Sequence, residues 1–275
     1  MVNSISEINQ FLDDGCNAIE TDIKFDNMGR ILNIFHGFPC DCFRLCNREA
    51  NVADYFEYTR KITTPGDDSY RDSYALILLD LKTSKIEANY LEVAGKLFFD
   101  ILYRHLFDSG KSMSKLKVLI SVESTSHKAF IYTFVNEVKR MGIESNVGKY
   151  IGWQISFNED IKQIDNMWRE IEDVTHIWYS HGTPNCVAPF FSFKRGVDIM
   201  DIRDSCDVAQ DTYCPRKVYY WSLDEDWQLR NSLRAGVDGI ITNKPARLNT
   251  ILAENEFQRT FRLATIDDDA WAILK

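Results

Sequence analysis

Two acids spaced two apart in an apolar stretch, Glu20 and Asp22 in Asn17-Ala18-Ile19-Glu20-Thr21-Asp22-Ile23-Lys24-Phe25, are the residues through which this chain could do chemistry. On a β-strand, positions i and i+2 face the same way, so both carboxylates project together. Converged carboxylates repel unless a cation sits between them. A matching arrangement closes the run Ala75-Leu76-Ile77-Leu78-Leu79-Asp80-Leu81-Lys82, where an acid and a base stand two apart. An isolated Glu-x-Asp is usually a strand end meeting solvent. Asp80 resists that explanation, because an unbroken apolar run precedes it and burying a lone carboxylate is costly. Three carboxylates and no thiol suit a hard, oxygen-seeking ion such as Mg²⁺. With His36 as a proton donor or acceptor nearby, the set points to phosphodiester chemistry.

The elements that must position these groups alternate along the chain. Strands are predicted at Ala18 to Phe25, Ala75 to Leu81, Lys117 to Val122, Lys149 to Gln154, Thr175 to Tyr179, Lys217 to Trp221 and Gly239 to Thr242. Amphipathic helices are predicted between them, among them Glu92 to Phe107, Lys128 to Met141, Lys162 to Ile171 and Asp226 to Ala235. This βαβα rhythm indicates a parallel sheet covered by helices. No linker or low-complexity stretch interrupts it, so residues 1–275 read as one domain. A closed (β/α)₈ TIM barrel needs an eighth strand. Met1-Val2-Asn3-Ser4-Ile5 already looks like the loop into the first helix, so that first strand is expected upstream of Met1, the chain being an N-terminally truncated fragment. An open doubly wound sheet is the alternative. The barrel is favoured because its chemistry sits at the carboxyl ends of strands, where Glu20, Asp22, Asp80 and Lys82 all fall.

Bulk properties narrow the partners. The chain has 275 residues, 45% of them apolar, and a net charge of −9. Nucleic acid is an unsuitable partner for such a surface, and anionic membranes would repel it. No apolar run approaches the roughly 20 residues needed to span a bilayer. Of the seven cysteines, Cys40, Cys42 and Cys46 cluster in a loop rich in Gly, Pro and Asp. Zinc is one reading of that cluster, but no CxxC pair or HxxxH spacing supports it; disulfides in a secreted protein are the other.

Longer motifs carry a family resemblance: Met1-Val2-Asn3, Ile19-Glu20-Thr21-Asp22, His36-Gly37-Phe38-Pro39-Cys40-Asp41-Cys42, Thr63-Thr64-Pro65-Gly66 and Leu79-Asp80-Leu81-Lys82-Thr83. They continue in Val218-Tyr219-Tyr220-Trp221, Ala235-Gly236-Val237-Asp238-Gly239-Ile240 and Ala264-Thr265-Ile266-Asp267-Asp268-Asp269-Ala270-Trp271. On these the whole chain resembles the spider-venom phospholipase D family, the sphingomyelinase D or dermonecrotic toxins of recluse and six-eyed sand spiders, relatives of the glycerophosphodiester phosphodiesterases. The resemblance implies that Glu20, Asp22 and Asp80 hold one Mg²⁺ and that His36 is one of two catalytic histidines. The other would stand immediately before Met1. Lys82 would bind the substrate phosphate, and Trp221 would line the mouth over the head group, although as an isolated residue Trp221 reads better as a core aromatic. Disulfides Cys40–Cys46, Cys42–Cys186 and Cys206–Cys214 are implied, with Cys16 left as a thiol. Tyr179-Ser180-His181-Gly182 stands where many members have Gln-Ser-Asp-Gly, which puts a histidine beside the expected pocket. Changes at Ile266, Asp269 and Ala270 would affect how the tail plugs the bottom of the barrel.

The activity implied is that of a secreted venom lyase, working as a monomer on phospholipid or sphingolipid at the outer membrane surface. It would cleave sphingomyelin, ceramide phosphoethanolamine or lysophospholipids by internal transfer, releasing choline or ethanolamine and leaving a cyclic phosphate. Skin necrosis and haemolysis are the family's usual effects. Two rivals share the residues: a hydrolytic glycerophosphodiester phosphodiesterase, and a non-catalytic module that binds lipid head groups.

Overall fold

The computed structural model describes residues 1–37, 40, 46–185, 187 and 194–273. Nine strands alternate with eight α-helices along these residues: α1 (Ile5–Asp13), β1 (Ala18–Phe25), β2 (Ile31–Phe35), β3 (Glu49–Ala50), α2 (Val52–Ile62), β4 (Leu76–Lys82), α3 (Leu91–Ile101), β5 (Lys117–Val122), α4 (Lys128–Met141), β6 (Ile151–Ile155), α5 (Ile161–Ile171), β7 (Trp178–Gly182), α6 (Lys194–Ser205), β8 (Lys217–Trp221), α7 (Asp226–Ala235), β9 (Gly239–Ile240) and α8 (Pro245–Leu252). Local chemistry sets several boundaries. Ser4 caps α1 by accepting from the Glu7 amide, and Asn51 caps α2 by accepting from Ala53 and Asp54. Such caps satisfy amides that the first helical turn leaves without partners. Gly142, at φ 65°, ends α4 in the left-handed conformation that a glycine adopts without steric cost.

Strands β1, β4, β5 and β6 pair in parallel in that order, and β7, β8 and β9 form a second parallel run. A bridge between Trp153 and Ile177 joins the two. Strand β5 is buried at every position, as expected of a parallel strand covered on both faces. The parallel strands thus follow one another in chain order, as in a (β/α)₈ barrel. Among the described residues β9 does not pair with β1. A cavity of about 120 Å³ lies between them, lined by Ala18, Leu76, Leu78, Tyr219, Ile240 and Leu248 among others. Strands β2 and β3, which the sequence reading did not anticipate, fold back antiparallel on β1.

Two apolar layers result. Leu76, Leu78, Leu119 and Tyr219 fill the inside of the barrel, with Trp178 and Trp221 packed against them. A larger layer lies between strands and helices, where Phe25, Phe98 and Phe130 meet with ring centroids 5.8 to 6.3 Å apart. The tail closes the amino-terminal end of the strands. There Trp271 donates to the Lys149 carbonyl at 2.9 Å, and Lys117 donates to the Ile266 carbonyl at 2.9 Å.

Several boundaries differ from expectation, and three of them have identifiable causes. Strand β7 begins at Trp178, later than the predicted Thr175, because His176 turns the chain at φ 61°. Its ring stacks on Trp271 at 4.6 Å and its Nδ1 meets the Ile151 carbonyl at 3.0 Å, so a contact with the distant tail overrides the β-prone run. Helix α3 ends at Ile101, where a wider π turn over Leu102–Leu106 replaces the predicted continuation. Strand β6 starts at Ile151 because a 3₁₀ turn takes up Gly148–Tyr150.

Helices α3 and α4 cross at Gly95, where an added Cβ would stand 2.3 Å from the Phe130 carbonyl oxygen. Alanine normally favours a helix over glycine by up to about 1 kcal/mol. Overpacking at this crossing costs roughly 1–3 kcal/mol and outweighs that gain. Gly95→Ala should therefore lower the urea unfolding midpoint followed by circular dichroism, and an unchanged or raised midpoint would contradict this crossing.

Candidate active site

Strand register stacks the functional side chains in levels. Glu20 lies opposite Leu78, which lies opposite Leu119, so at this level the acid borders the apolar interior. One pleat higher, Asp22, Asp80, Ser121 and Gln154 stand side by side on four neighbouring strands. The next level pairs Lys24 with Lys82. The inward face changes from apolar to acidic to basic towards the carboxyl ends. The two-residue repeat places the groups along each strand, and only the parallel register levels them across strands.

Asp22 and Asp80 share one cation. Lys82 Nζ lies 2.5 Å from Asp80 Oδ2 and 2.9 Å from Asp22 Oδ1. On its other side Asp22 is held by Asn3, whose Nδ2 donates to Asp22 Oδ2 at 2.8 Å while its Oδ1 accepts from the Asp22 amide at 3.0 Å. Burial opposes the charge on Asp22, yet Lys82, His36 and Asn3 outweigh it and hold the carboxyl below its ordinary value. Glu20 goes the other way: burial, reinforced by the charges of Asp22 and Asp80, pushes its carboxyl up against the pull of the Met1 amino group and Lys82. Burial would lower the Lys82 ammonium, but the two aspartates raise it well above its usual range and keep it charged.

The donor chemistry fits a divalent cation: carboxylates from two adjacent strands converge, and Asp80 Oδ1 is buried without a hydrogen-bond partner. The geometry is that of an ion pair, however. Among the described residues no three carboxylate, histidine or cysteine groups are arranged to ligate a metal. Lys82, expected on a substrate phosphate, bridges the two aspartates.

His36 follows β2 and is close enough to Asp22 to help hold its carboxylate charged. Its Nδ1 meets the Gly37 carbonyl at 2.9 Å, and with Nδ1 as the donor its Nε2 bonds to none of the described residues. Trp221 ends β8 beside Gly182, where a Cβ would stand 1.7 Å from the Trp221 carbonyl oxygen. It is half-buried against the inner apolar layer, at once a core aromatic and part of the rim. His181 does not line the mouth. It lies between inward-facing Ser180 and Gly182, and its ring packs edge-on to outward-facing Tyr220 at 5.8 Å.

Several site residues escaped the sequence reading. Tyr219 shares the inward face with Trp221, and burial together with the Glu20 charge pushes its hydroxyl far up. The two-residue repeat could have found it. Asp224 carried no such signal. Its buried carboxylate accepts from Asn185 Nδ2 at 2.7 Å, from the Asn243 amide at 2.8 Å and side chain at 3.1 Å, and from Thr242 Oγ1 at 3.0 Å. It thereby ties together the loops after β7, β8 and β9 that surround Trp221. Disulfides Cys40–Cys46 and Cys206–Cys214 are formed, and Cys16 is a free thiol. The expected Cys42–Cys186 bridge lies outside the described residues.

A family model described as dermonecrotic toxin SPH matches residues 1–271. A dermonecrotic toxin of Loxosceles boneti is 36% identical over 98% of this chain and 95% of its own length. Dermonecrotic toxins of Hemiscorpius lepturus and Loxosceles arizonica are each 37% identical over 98% of this chain, covering 82% and 97% of their own lengths. A glycerophosphodiester phosphodiesterase from Parabacteroides distasonis superposes with a TM-score of 0.53 at 15% identity, covering 90% of this chain and 89% of its own. A putative one from Galdieria sulphuraria gives 0.51 at 10% identity, covering 90% of each chain. Those two structures share the TIM-barrel fold with this chain, and family and fold together fit a metal-dependent enzyme.

Burial opposes the charge on Asp224, but its hydrogen bonds prevail and hold the carboxyl below the ordinary 3.8. The stability it contributes is thus complete above the unfolded value, near pH 4, and is lost as pH falls through the folded one. Asp224→Ala should cost roughly 2–4 kcal/mol at pH 7 by stranding buried donors. In urea melts, the gap between parent and variant should narrow below about pH 4, and a gap independent of pH would remove Asp224 from this role.

Proposed function

Because the chain belongs to the dermonecrotic toxin SPH family, we propose that it is a secreted, Mg²⁺-dependent phospholipase D-type lyase acting on sphingolipid and lysophospholipid head groups. The observation that carries this reading is the convergence of Glu20, Asp22, Asp80 and Lys82 at the carboxyl ends of β1 and β4, with His36 beside them. Glu20, Asp22 and Asp80 would hold one Mg²⁺, which supplies charge neutralisation for a phosphodiester undergoing displacement. With that charge present, Lys82 need no longer serve both aspartates, and its ammonium can turn to a non-bridging phosphate oxygen. The two disulfides suit an oxidising, extracellular setting.

The reaction is an internal displacement. A hydroxyl of the lipid attacks phosphorus, the bond from phosphorus to the head-group oxygen breaks, and a cyclic phosphate remains. The attacking hydroxyl loses one proton and the departing choline or ethanolamine oxygen gains one, so two positioned acid–base groups serve the step. His36, with Nδ1 occupied by the Gly37 carbonyl, offers Nε2 for one of them. The family resemblance implies a second catalytic histidine for the other. Trp221 and Tyr219 would border the head group. We take residues 1–275 as one barrel domain, supported by the continuous buried layer between strands and helices, and expect a monomer. Among the described residues no helix is long and apolar enough to cross a membrane.

Phosphorus NMR tests the reading directly. The protein, given lysophospholipid or sphingomyelin and Mg²⁺, should produce a cyclic phosphate signal that chelation abolishes. A linear phosphomonoester would mean that water attacks and would favour the hydrolytic phosphodiesterase. Asp80→Asn should reduce turnover more than roughly 100-fold, beyond the loss usual for groups that only support a metal ligand, and full activity would sink the assignment of Asp80.

A further inference from the structure

The step above the aspartates carries one more charged group. Strands β4 and β5 end their pairing at Leu81 and Val122, and the next residues along the two strands are Lys82 and Glu123. Glu123 follows Leu119 and Ser121 at two-residue intervals, the first of which lies in the inner apolar layer and the second of which is level with Asp80. It is 8% exposed, which is deep for a carboxylate at the end of a strand. The Ser84 amide donates to its Oε2, while Oε1 accepts no hydrogen bond from the described residues. No described lysine or arginine pairs with it: Lys82 is committed to Asp22 and Asp80, Lys24 stands 4.7 Å from the centroid of the Phe35 ring, and the nearby His127, which feels the Glu123 charge, is held below its ordinary value by burial. Next to the paired bases Lys24 and Lys82, the residue that follows β5 is thus an acid, Glu123.

That polarity matches a zwitterion. A phosphate at the Lys82 step and an ammonium at the Glu123 step would be separated by one strand spacing, about 4.8 Å. The two-carbon spacer of a phosphoethanolamine-type head group covers such a distance. We propose that Glu123 is a specificity-determining residue that binds the ammonium of the departing head group and favours one bearing N–H donors over a quaternary one. Oε1 accepts a hydrogen bond from a primary ammonium, whereas a trimethylammonium has none to give and keeps the carboxylate at a distance. The inference rests on the lipid-cleaving reading above and names the head group it prefers.

Glu123→Gln isolates the charge, because the amide oxygen can still accept from Ser84 and keep the loop in place. Two measurements test it. In the first, kcat/KM is compared for lysophospholipids with identical acyl chains and ethanolamine or choline head groups. The parent should favour ethanolamine, and the variant should lower that ratio about tenfold, as expected when a charge-assisted hydrogen bond becomes a neutral one. An unchanged ratio, or both substrates falling together, would overturn the proposal. In the second, calorimetry with O-phosphoethanolamine and phosphocholine reads the same preference without turnover. Tighter binding of the primary amine, abolished by Glu123→Gln, supports the inference even if neither lipid is cleaved, in which case the proposed activity alone fails. Equal binding of both amines by the parent refutes it.

Discussion

Repulsion among carboxylates crowded onto neighbouring strands is the constraint on which the rest of the structure depends. Asp22 and Asp80 are in lateral register on β1 and β4, and Glu20 lies one pleat below on the same face. Buried anions at this spacing would be driven to protonate unless a cation answered them. Lys82 does so through contacts of 2.5 and 2.9 Å, and Asn3 spreads the load by binding the opposite edge of Asp22. Glu20, which the lysine serves less directly, is the member whose carboxyl is pushed up. One fixed ammonium therefore bridges two acids and helps hold Asp22 low, while Glu20 is biased towards its neutral form. Such an arrangement suits a site whose charge balance changes when a divalent cation or a phosphate arrives.

The barrel keeps this site rigid by separating tasks between strands and loops. Charged groups sit on strands whose register leaves them no freedom to slide past one another. The aromatic rim depends on loops, and those loops are anchored. Asp224 collects donors from Asn185, Thr242 and Asn243, while the Thr183 amide donates to the Trp221 carbonyl at 2.9 Å. Gly182 lets the backbone of β7 pass close to Trp221. At the far end the tail seals the inner layer through Trp271 and Ile266, and at the mouth Cys40–Cys46 ties the chain close to His36.

Charge on this protein is organised at two scales. The molecule as a whole carries −9, which disfavours anionic surfaces, whereas the carboxyl ends of the strands pair Lys24 with Lys82 and are followed by Glu123 after β5. A surface repelled by anionic lipid and a mouth that presents both signs suit a zwitterionic head group better than a purely anionic one. The apolar inner layer beneath excludes water from the acids and so strengthens the local charges.

The sequence by itself determined what repeats at short range. Glu20 with Asp22 and Asp80 with Lys82 were legible because a strand's two-residue pleat fixes which neighbours share a face, and the same rule would have disclosed Tyr219 from Trp221. The alternation of strands and helices, the ends of α4 and α7, and pairing within the local cysteine clusters were legible too, the last through family resemblance. Tertiary structure alone decided what depends on register and on distant partners. Asn3 reaches Asp22 and Asp224 gathers three loops through hydrogen bonds between residues far apart in the chain. Stacking on Trp271 delays β7, and the outward turn of His181 follows from the register of β7 on β8. Lys82 settles on two aspartates rather than facing open space because β1 and β4 align them beside it. A pleat is written into a few adjacent residues; a level across several strands exists only after the barrel has formed.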